Sequence, residues 1–185
     1  MILRRLLLVV FGGTLCTLLD QVHVHTGTLS YARPVIFGQA VWVLPMFMTA
    51  VAAMLAGWPA IARALGEPLT PREGPEATRD LLFGLLWFVA VYASSGVFNA
   101  WPWVLTAIYG LTFLVRLKAQ GTRAFLVNAF LLAAGGVLAE ASLSSTGAFR
   151  YDCPGTWLVP VWLPGLYLHG AFLLQRLLRS FPVTS

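Results

Sequence analysis

A chain of 185 residues that is 58% hydrophobic and 10% charged, with a mean hydropathy of +0.79, has more apolar surface than one soluble domain can hide. Lipid must be the solvent for much of it. The net charge of +5 is no nucleic-acid signature, because the basic residues are spread over short separate connections instead of clustering as a phosphate backbone requires.

Taken in chain order, the first apolar run follows Arg4 and Arg5 and mimics a secretion signal. Leu15 before Cys16 breaks the small-residue pattern of a lipoprotein cleavage site, and no Ala-x-Ala follows, so this run reads as a retained helix over residues 3–22. A second helix is predicted over 35–61, with Pro45 inside it as a kink. The connection from Arg63 to Asp80 is rich in charge and proline. Within it, Thr70, Pro71 and Glu73 have the spacing of a helix start. It reads as a surface helix or solvated loop, with partner docking as the alternative. Residues 81–115 carry no charge, a stretch too long for one span at about 1.5 Å per residue. Two short helices, 81–97 and 99–115, fit it, forming a hairpin whose turn is marked by Ser94-Ser95-Gly96 and Trp101-Pro102. The fifth and sixth helices are predicted over 124–143 and 157–178. Cys16 within the first helix and Cys153 in a connection are not placed for a structural disulfide.

The connections at one end hold ten basic residues: Arg4, Arg5, Arg63, Arg72, Arg79, Arg116, Lys118, Arg123, Arg176 and Arg179. The other end holds two, Arg33 and Arg150. Basic loops stay in the cytosol, so the asymmetry orients the chain. The fold class is all-α: a polytopic membrane protein of one domain, residues 1–185, with six transmembrane helices and both termini cytosolic. Eleven arginines against one lysine suggest a high-GC bacterial genome and hence an inner membrane; a eukaryotic source would imply the endoplasmic reticulum.

A shift of 120 residues aligns two segments without a gap. Asp20 falls on Glu140, Thr26-Gly27 on Thr146-Gly147, Tyr31 on Tyr151, Pro34 on Pro154, and Val41-Trp42 on Val161-Trp162. Gly27 and Gly147 suit a left-handed helix end. The tyrosines suit the membrane interface, and the prolines a position just before the next helix. Both hairpins run in–out–in, which makes a parallel repeat with helices three and four inserted between the copies. The expected arrangement is two hairpins facing each other across a cavity.

Asp20 lies about 22 Å of helical rise beyond Arg5, and Glu140 about 25 Å beyond Arg123, so both fall just under the outer headgroups. Ionisable groups at that depth should face a polar cavity or a partner, and either acid can serve as a proton donor; the plain alternative is capping of loop amides. Asp20, His23 and His25 form a D-x-x-H-x-H cluster. As a metal site it needs a further ligand from Glu140 or Asp152, and polar hydrogen bonding at the bundle mouth is the reading preferred here. His169, inside helix six, is either a packed histidine or a headgroup contact. Gly12-Gly13, Gly135-Gly136 and the face of Ala50, Ala53 and Gly57 permit close helix approach. Most of the seven tryptophans fall near span ends, as an aromatic belt would. No phosphate loop, nucleophile elbow, catalytic triad or haem motif is present, and no cofactor is implied.

Two stretches resemble the Insig family, the sterol-responsive membrane proteins of the endoplasmic reticulum. Val41-Trp42-Val43-Leu44-Pro45, an Ala-rich helix and Leu65-Gly66-Glu67-Pro68 are similar to that family's Trp-Val-Pro-Pro segment, small-residue helix and Leu-Gly-Glu-Pro. Gly147-Ala148-Phe149-Arg150-Tyr151, Trp162-Leu163-Pro164-Gly165 and Gln175-Arg176-Leu177 resemble its Gly-Val-Tyr-Gln-Tyr, Trp-Leu-Pro-Cys and closing segments, and Ala93-Ser94-Ser95 resembles its Ala-Ser-Ala. The resemblance spans residues 40–178. It implies six spans and a non-enzymatic bundle with a lipid-accepting cavity, an oxysterol being the ligand of eukaryotic members and sterol-sensing membrane proteins their partners. The acidic residue those members use for partner binding falls here near Phe98 or Asn99, and their cysteine-rich helix starts are absent. The expected ligand is a diacylglycerol-like or sterol-like lipid, held by Asp20, His23, Trp42, Glu140, Tyr151, Trp162 and His169. A membrane-protein partner and a second copy of the chain are the other expected partners. The alternative is an integral-membrane lipid isomerase or cyclase using Asp20 or Glu140 as acid and His23 as base, or a proton-coupled transporter built on the repeat.

Overall fold

Each copy of the repeat folds as a long apolar helix, a three-residue strand and a second helix. The computed structural model describes residues 2–152 and 158–181, so Cys153, Pro154 and Trp157 lie outside the described residues. The first copy is α1 (Ile2–His25), β1 (Leu29–Tyr31) and α2 (Val43–Ala64). The inserted pair is α3 (Pro75–Val97) and α4 (Pro102–Gln120). The second copy is α5 (Arg123–Ser145), β2 (Phe149–Tyr151) and α6 (Leu163–Ser180). Gly27 and Gly147 end the first helix of each copy with φ of 68° and 77°, the left-handed turn the sequence called for.

Several boundaries differ from the sequence expectation. The second helix starts at Val43, not 35, because Ile36 and Gln39 bridge across a tight turn in which Phe37 and Gly38 take φ of 48° and 86°. Pro45 is therefore no kink. It lies in the first turn, where a missing N–H is harmless, and Pro59 is the proline inside α2. The third helix starts at Pro75, not 81, and no helix starts at Thr70-Pro71 in the connection; Gly74, at φ 85°, turns the chain, and Pro75 takes the first helical position with Glu76 beside it. Ser94, Ser95 and Gly96 are helical, and the turn is formed by residues 98–101, so α4 begins at Pro102. The sixth helix begins at Leu163, not 157. Trp58 and Trp162 belong to the core and not to a surface belt.

The two strands, invisible in the sequence, join the copies. They pair antiparallel, Leu29 with Tyr151, Ser30 with Arg150 and Tyr31 with Phe149. Exchanging each residue for its equivalent 120 positions away reproduces the same pairing, so a local two-fold axis passes through Ser30 and Arg150. The helices do not obey it fully. α1 packs on α2, α2 on α5 and α5 on α6, but the two-fold equivalent of the α2–α5 contact, α6 on α1, is replaced by α3, which packs on both. The result is a ring of five helices, α1–α2–α5–α6–α3, with α4 outside it against α6. The expected α3–α4 hairpin is thus splayed over α6; its side-chain bridge is Tyr109, whose hydroxyl donates to the Val91 carbonyl at 2.7 Å. Small residues set the close approaches: a methyl added at Gly13 would meet the Met48 backbone, and one at Gly170 would meet Phe88.

The chain is an all-α polytopic membrane protein. Large apolar side chains cover its outside, among them Leu7 and Leu18 of α1, Leu86 of α3, Leu111 of α4 and Leu138 of α5. α1, α2, α3 and α5 are each long and apolar enough to cross a membrane. α4 carries Arg116 and Lys118 in its last turns, and α6 carries Gln175, Arg176 and Arg179. α6 tolerates them because α3, α4 and α5 enclose it, and none of its large apolar residues is exposed. Two apolar clusters fill the ring. One, around Trp58, Phe125 and Phe172, lies toward the arginine-rich end; the other, around Tyr92, Tyr109 and Trp162, lies toward the strands. Arg4 stacks 5.2 Å over the Phe181 ring, which puts the first and last helix ends side by side.

Candidate functional site

The repeat places one acid and one tyrosine in each half, eleven residues apart, with Asp20 buried and Glu140 half-buried, and the fold bonds them. The Tyr31 hydroxyl donates to Asp20 Oδ2 at 2.7 Å, and the Tyr151 hydroxyl donates to Glu140 Oε2. Each acid takes one further donor, and here the halves diverge. Gln39 Nε2 donates to Asp20 Oδ2 at 2.7 Å and to the Thr17 carbonyl at 2.9 Å, whereas Tyr167 donates to Glu140 Oε1. The repeat could not reveal these second donors, since the equivalents of Gln39 and Tyr167 are Val159 and Phe47. Burial, then the Asp20 charge, pushes the Tyr31 hydroxyl far above its usual range, with Glu140 adding a smaller push. Tyr151 is raised likewise, by burial first and Glu140 next. Both tyrosines stay protonated and donate to the acids, and among the described residues neither acid caps a loop amide.

His23 lies one helical turn beyond Asp20 on α1, but it bonds elsewhere. The Ser95 hydroxyl donates to the Tyr92 carbonyl at 2.7 Å. Its oxygen, 2.8 Å from His23 Nε2, must then accept from that nitrogen. The imidazole therefore carries its proton on Nε2, and Nδ1 is a bare acceptor, buried and without a partner among the described residues. Aromatic rings hold the imidazole: Tyr92 stacks at 4.7 Å between centroids, and Trp162 lies at 5.5 Å. Trp162 Nε1 donates to Asn99 Oδ1 at 3.3 Å and packs edge-on to Tyr151 at 6.1 Å. Trp42 makes the matching edge contact with Tyr31 at 5.5 Å. His25 is exposed, so the D-x-x-H-x-H motif does not converge. Among the described residues, no three His, Cys, Asp or Glu stand together as a metal site. No hydrogen bond links His23 to either acid among the described residues, so the acid–base set expected of a lipid-modifying enzyme is not joined.

His169 sits about 10 Å further along α6 than Trp162 by helical rise. Its Nδ1 accepts from Trp87 Nε1 at 3.2 Å and from Arg116 Nη1 at 3.0 Å. Its Nε2 donates to the Tyr109 carbonyl at 3.1 Å, with Thr112 Oγ1 also at 3.1 Å. Both ring nitrogens are used in tying α6 to α3 and α4, the packed reading of this histidine. Of the residues expected at the site, Asp20, His23, Trp42, Glu140, Tyr151 and Trp162 gather at the strand end, and His169 stands apart.

Two cavities, of about 480 Å³ and about 340 Å³, lie at the opposite, arginine-rich end, where the sequence reading placed none. They share Arg72 and Asp80. Asp80 bridges two arginines, Oδ1 to Arg176 at 3.1 Å and Oδ2 to Arg72 at 3.6 Å. At this end too, Glu67 of the Leu-Gly-Glu-Pro segment accepts from the Ala124 N–H at 2.7 Å, pinning the connection after α2 to the start of α5.

Comparison with known proteins gives a consistent picture. No curated protein matches the chain. Two solved structures share its fold. The mycobacterial Insig homologue MvINS from Mycobacterium vanbaalenii is similar with a TM-score of 0.76 and 22% identity, over 100% of this chain and 98% of that one. A cross-linked MvINS trimer is similar with a TM-score of 0.75 and 25% identity, over 96% and 94%. The fold is therefore Insig-like, as the sequence motifs implied. The family described as "Protein of unknown function (DUF2878)" matches residues 77–183, more than half of the chain, and the protein belongs to that family.

Proposed function

We propose that this Insig-like membrane protein binds an uncharged lipid bearing a free hydroxyl, of the diacylglycerol class, between its two halves. The observation that carries the reading is the bare Nδ1 of His23. A buried acceptor without a donor is costly, and a lipid hydroxyl supplies the donor it lacks. The acids argue for a neutral head: Asp20 and Glu140 already hold two donors each, and neither offers a positive group to a phosphate. The tails would be held by burial, at about 25 cal/mol per Å² of apolar surface, once side chains of the cluster around Tyr92, Tyr109 and Trp162 move aside to admit them. The role is that of a sensor or adaptor. Neither Phe98 nor Asn99, where the resemblance places the partner-binding acid of eukaryotic Insig members, is acidic, which argues against a sterol-sensing partner of their kind.

The test is native mass spectrometry of the gently extracted chain. Wild type should retain a diacylglycerol-sized adduct. His23→Phe keeps an aromatic ring but removes the Nδ1 acceptor, a loss of about 1 kcal/mol that should lower retention about fivefold; Ser95→Ala, which breaks only the Nε2 bond, should retain the lipid and serves as the control. No adduct on wild type, or equal retention by His23→Phe, would refute the reading. The same spectra give the oligomeric state; the cross-linked trimer of MvINS supports a homo-oligomer here.

A further inference from the structure

We propose that the arginine-rich end holds a second, separate site, which binds a phosphate group. Four arginines, Arg72, Arg79, Arg176 and Arg179, line the two cavities, which share Arg72 and Asp80, against the acids Asp80 and Glu76. The surplus positive charge is built in, not flexible decoration. Arg176 is 4% exposed and fixed to Asp80, and the Arg72 N–H donates to the Arg179 carbonyl at 3.0 Å, which clamps the connection before α3 onto the end of α6. Arg179 Nε is enclosed without an acceptor among the described residues. Planar guanidinium forks around one cavity match the tetrahedral oxygens of phosphate, which accepts several such donors at once. The larger cavity has the volume of a small-molecule site. Phe83 lines the smaller one and belongs, with Leu82 and Leu86, to an exposed apolar face of α3. Acyl chains can lie along that face while the headgroup enters the cavity, as expected of basic pockets between membrane helices. Free phosphate offers the same chemistry without the tails.

The site is distinct from the strand-end acids, so its test is independent of His23. The full chain is placed in nanodiscs of phosphatidylcholine with or without phosphatidylglycerol, then released for native mass spectrometry, and thermal midpoints are read with and without inorganic phosphate. Phosphatidylglycerol should be retained over phosphatidylcholine, and Arg72→Gln and Arg179→Gln should each cut that retention about fivefold. Arg123→Gln, on the same end but outside both cavities, should leave it unchanged. Stabilisation of wild type by inorganic phosphate, lost in the same two variants, would also support the site and make its source soluble. Equal retention of phosphatidylcholine, or an equal loss in Arg123→Gln, would overturn the proposal. Arg72 has a side chain 56% exposed, so Arg72→Gln carries the test if Arg179→Gln does not fold.

Discussion

Tyr31→Phe removes one donor from Asp20 and leaves the ring in place, still edge-on to Trp42 at 5.5 Å. Asp20 is 4% exposed, so water does not replace the lost hydroxyl, and among the described residues the carboxyl keeps only the Gln39 donor. A hydrogen bond to a charged group is worth about 1.5–3 kcal/mol in soluble proteins. Inside membrane bundles side-chain bonds average about 0.6 kcal/mol and reach about 1.7, because the unfolded chain in lipid also finds partners. A buried carboxylate belongs at the top of that second range, so the expected loss is about 1.5 kcal/mol. At about 2–4 °C per kcal/mol for a chain of this size, the thermal midpoint in a mild detergent should fall by about 3–6 °C. Combining Tyr31→Phe with Asp20→Asn in a double-mutant cycle should give a coupling of about 1 kcal/mol or more. The pseudo-two-fold adds a sharper demand: Tyr151→Phe, which strips the equivalent donor from Glu140, should cost the same to within about 0.5 kcal/mol. A neutral Tyr31→Phe, or a cycle with no coupling, would refute the claim that these pairs hold the strand end together.

Two further expectations concern packing and orientation. Gly13→Ala would set a methyl 3.0 Å from the Met48 backbone nitrogen, so α1 and α2 must separate, at about 1–3 kcal/mol; Gly57→Ala, with nothing within 4 Å, should be neutral or gain up to about 1 kcal/mol from helix propensity, and thermal melts of the two variants check the contrast. In a chain carrying Cys16→Ser and Cys153→Ser, an impermeant maleimide should label Ala100→Cys only from the non-cytosolic face and Glu73→Cys only from the cytosol, both positions being exposed; the reverse pattern would overturn the orientation read from the arginines.

What the sequence determined alone was everything set by local chemistry or by counting. Apolar run length fixed the six helices, the arginine asymmetry fixed which connections share an end, and the 120-residue shift paired Asp20 with Glu140 and Tyr31 with Tyr151. Helix starts were less legible. Val43 and Pro75 are chosen by turns whose positive φ values at Phe37 and Gly74 no hydropathy pattern records. Tertiary structure alone decided which groups meet. Gln39 and Tyr167 reach the acids through contacts that the repeat does not share, and α3 displaces the symmetric contact between α6 and α1. His169, an isolated polar residue in the sequence, becomes the joint of three helices. Arg176 and Arg179, which read as a positive-inside signal, become the wall of a cavity because Asp80 and Arg72, far away in the chain, fold over them. Hydrogen bonds and ion pairs depend on direction and distance in space, and spacing along the chain carries that information only within a single helix or strand.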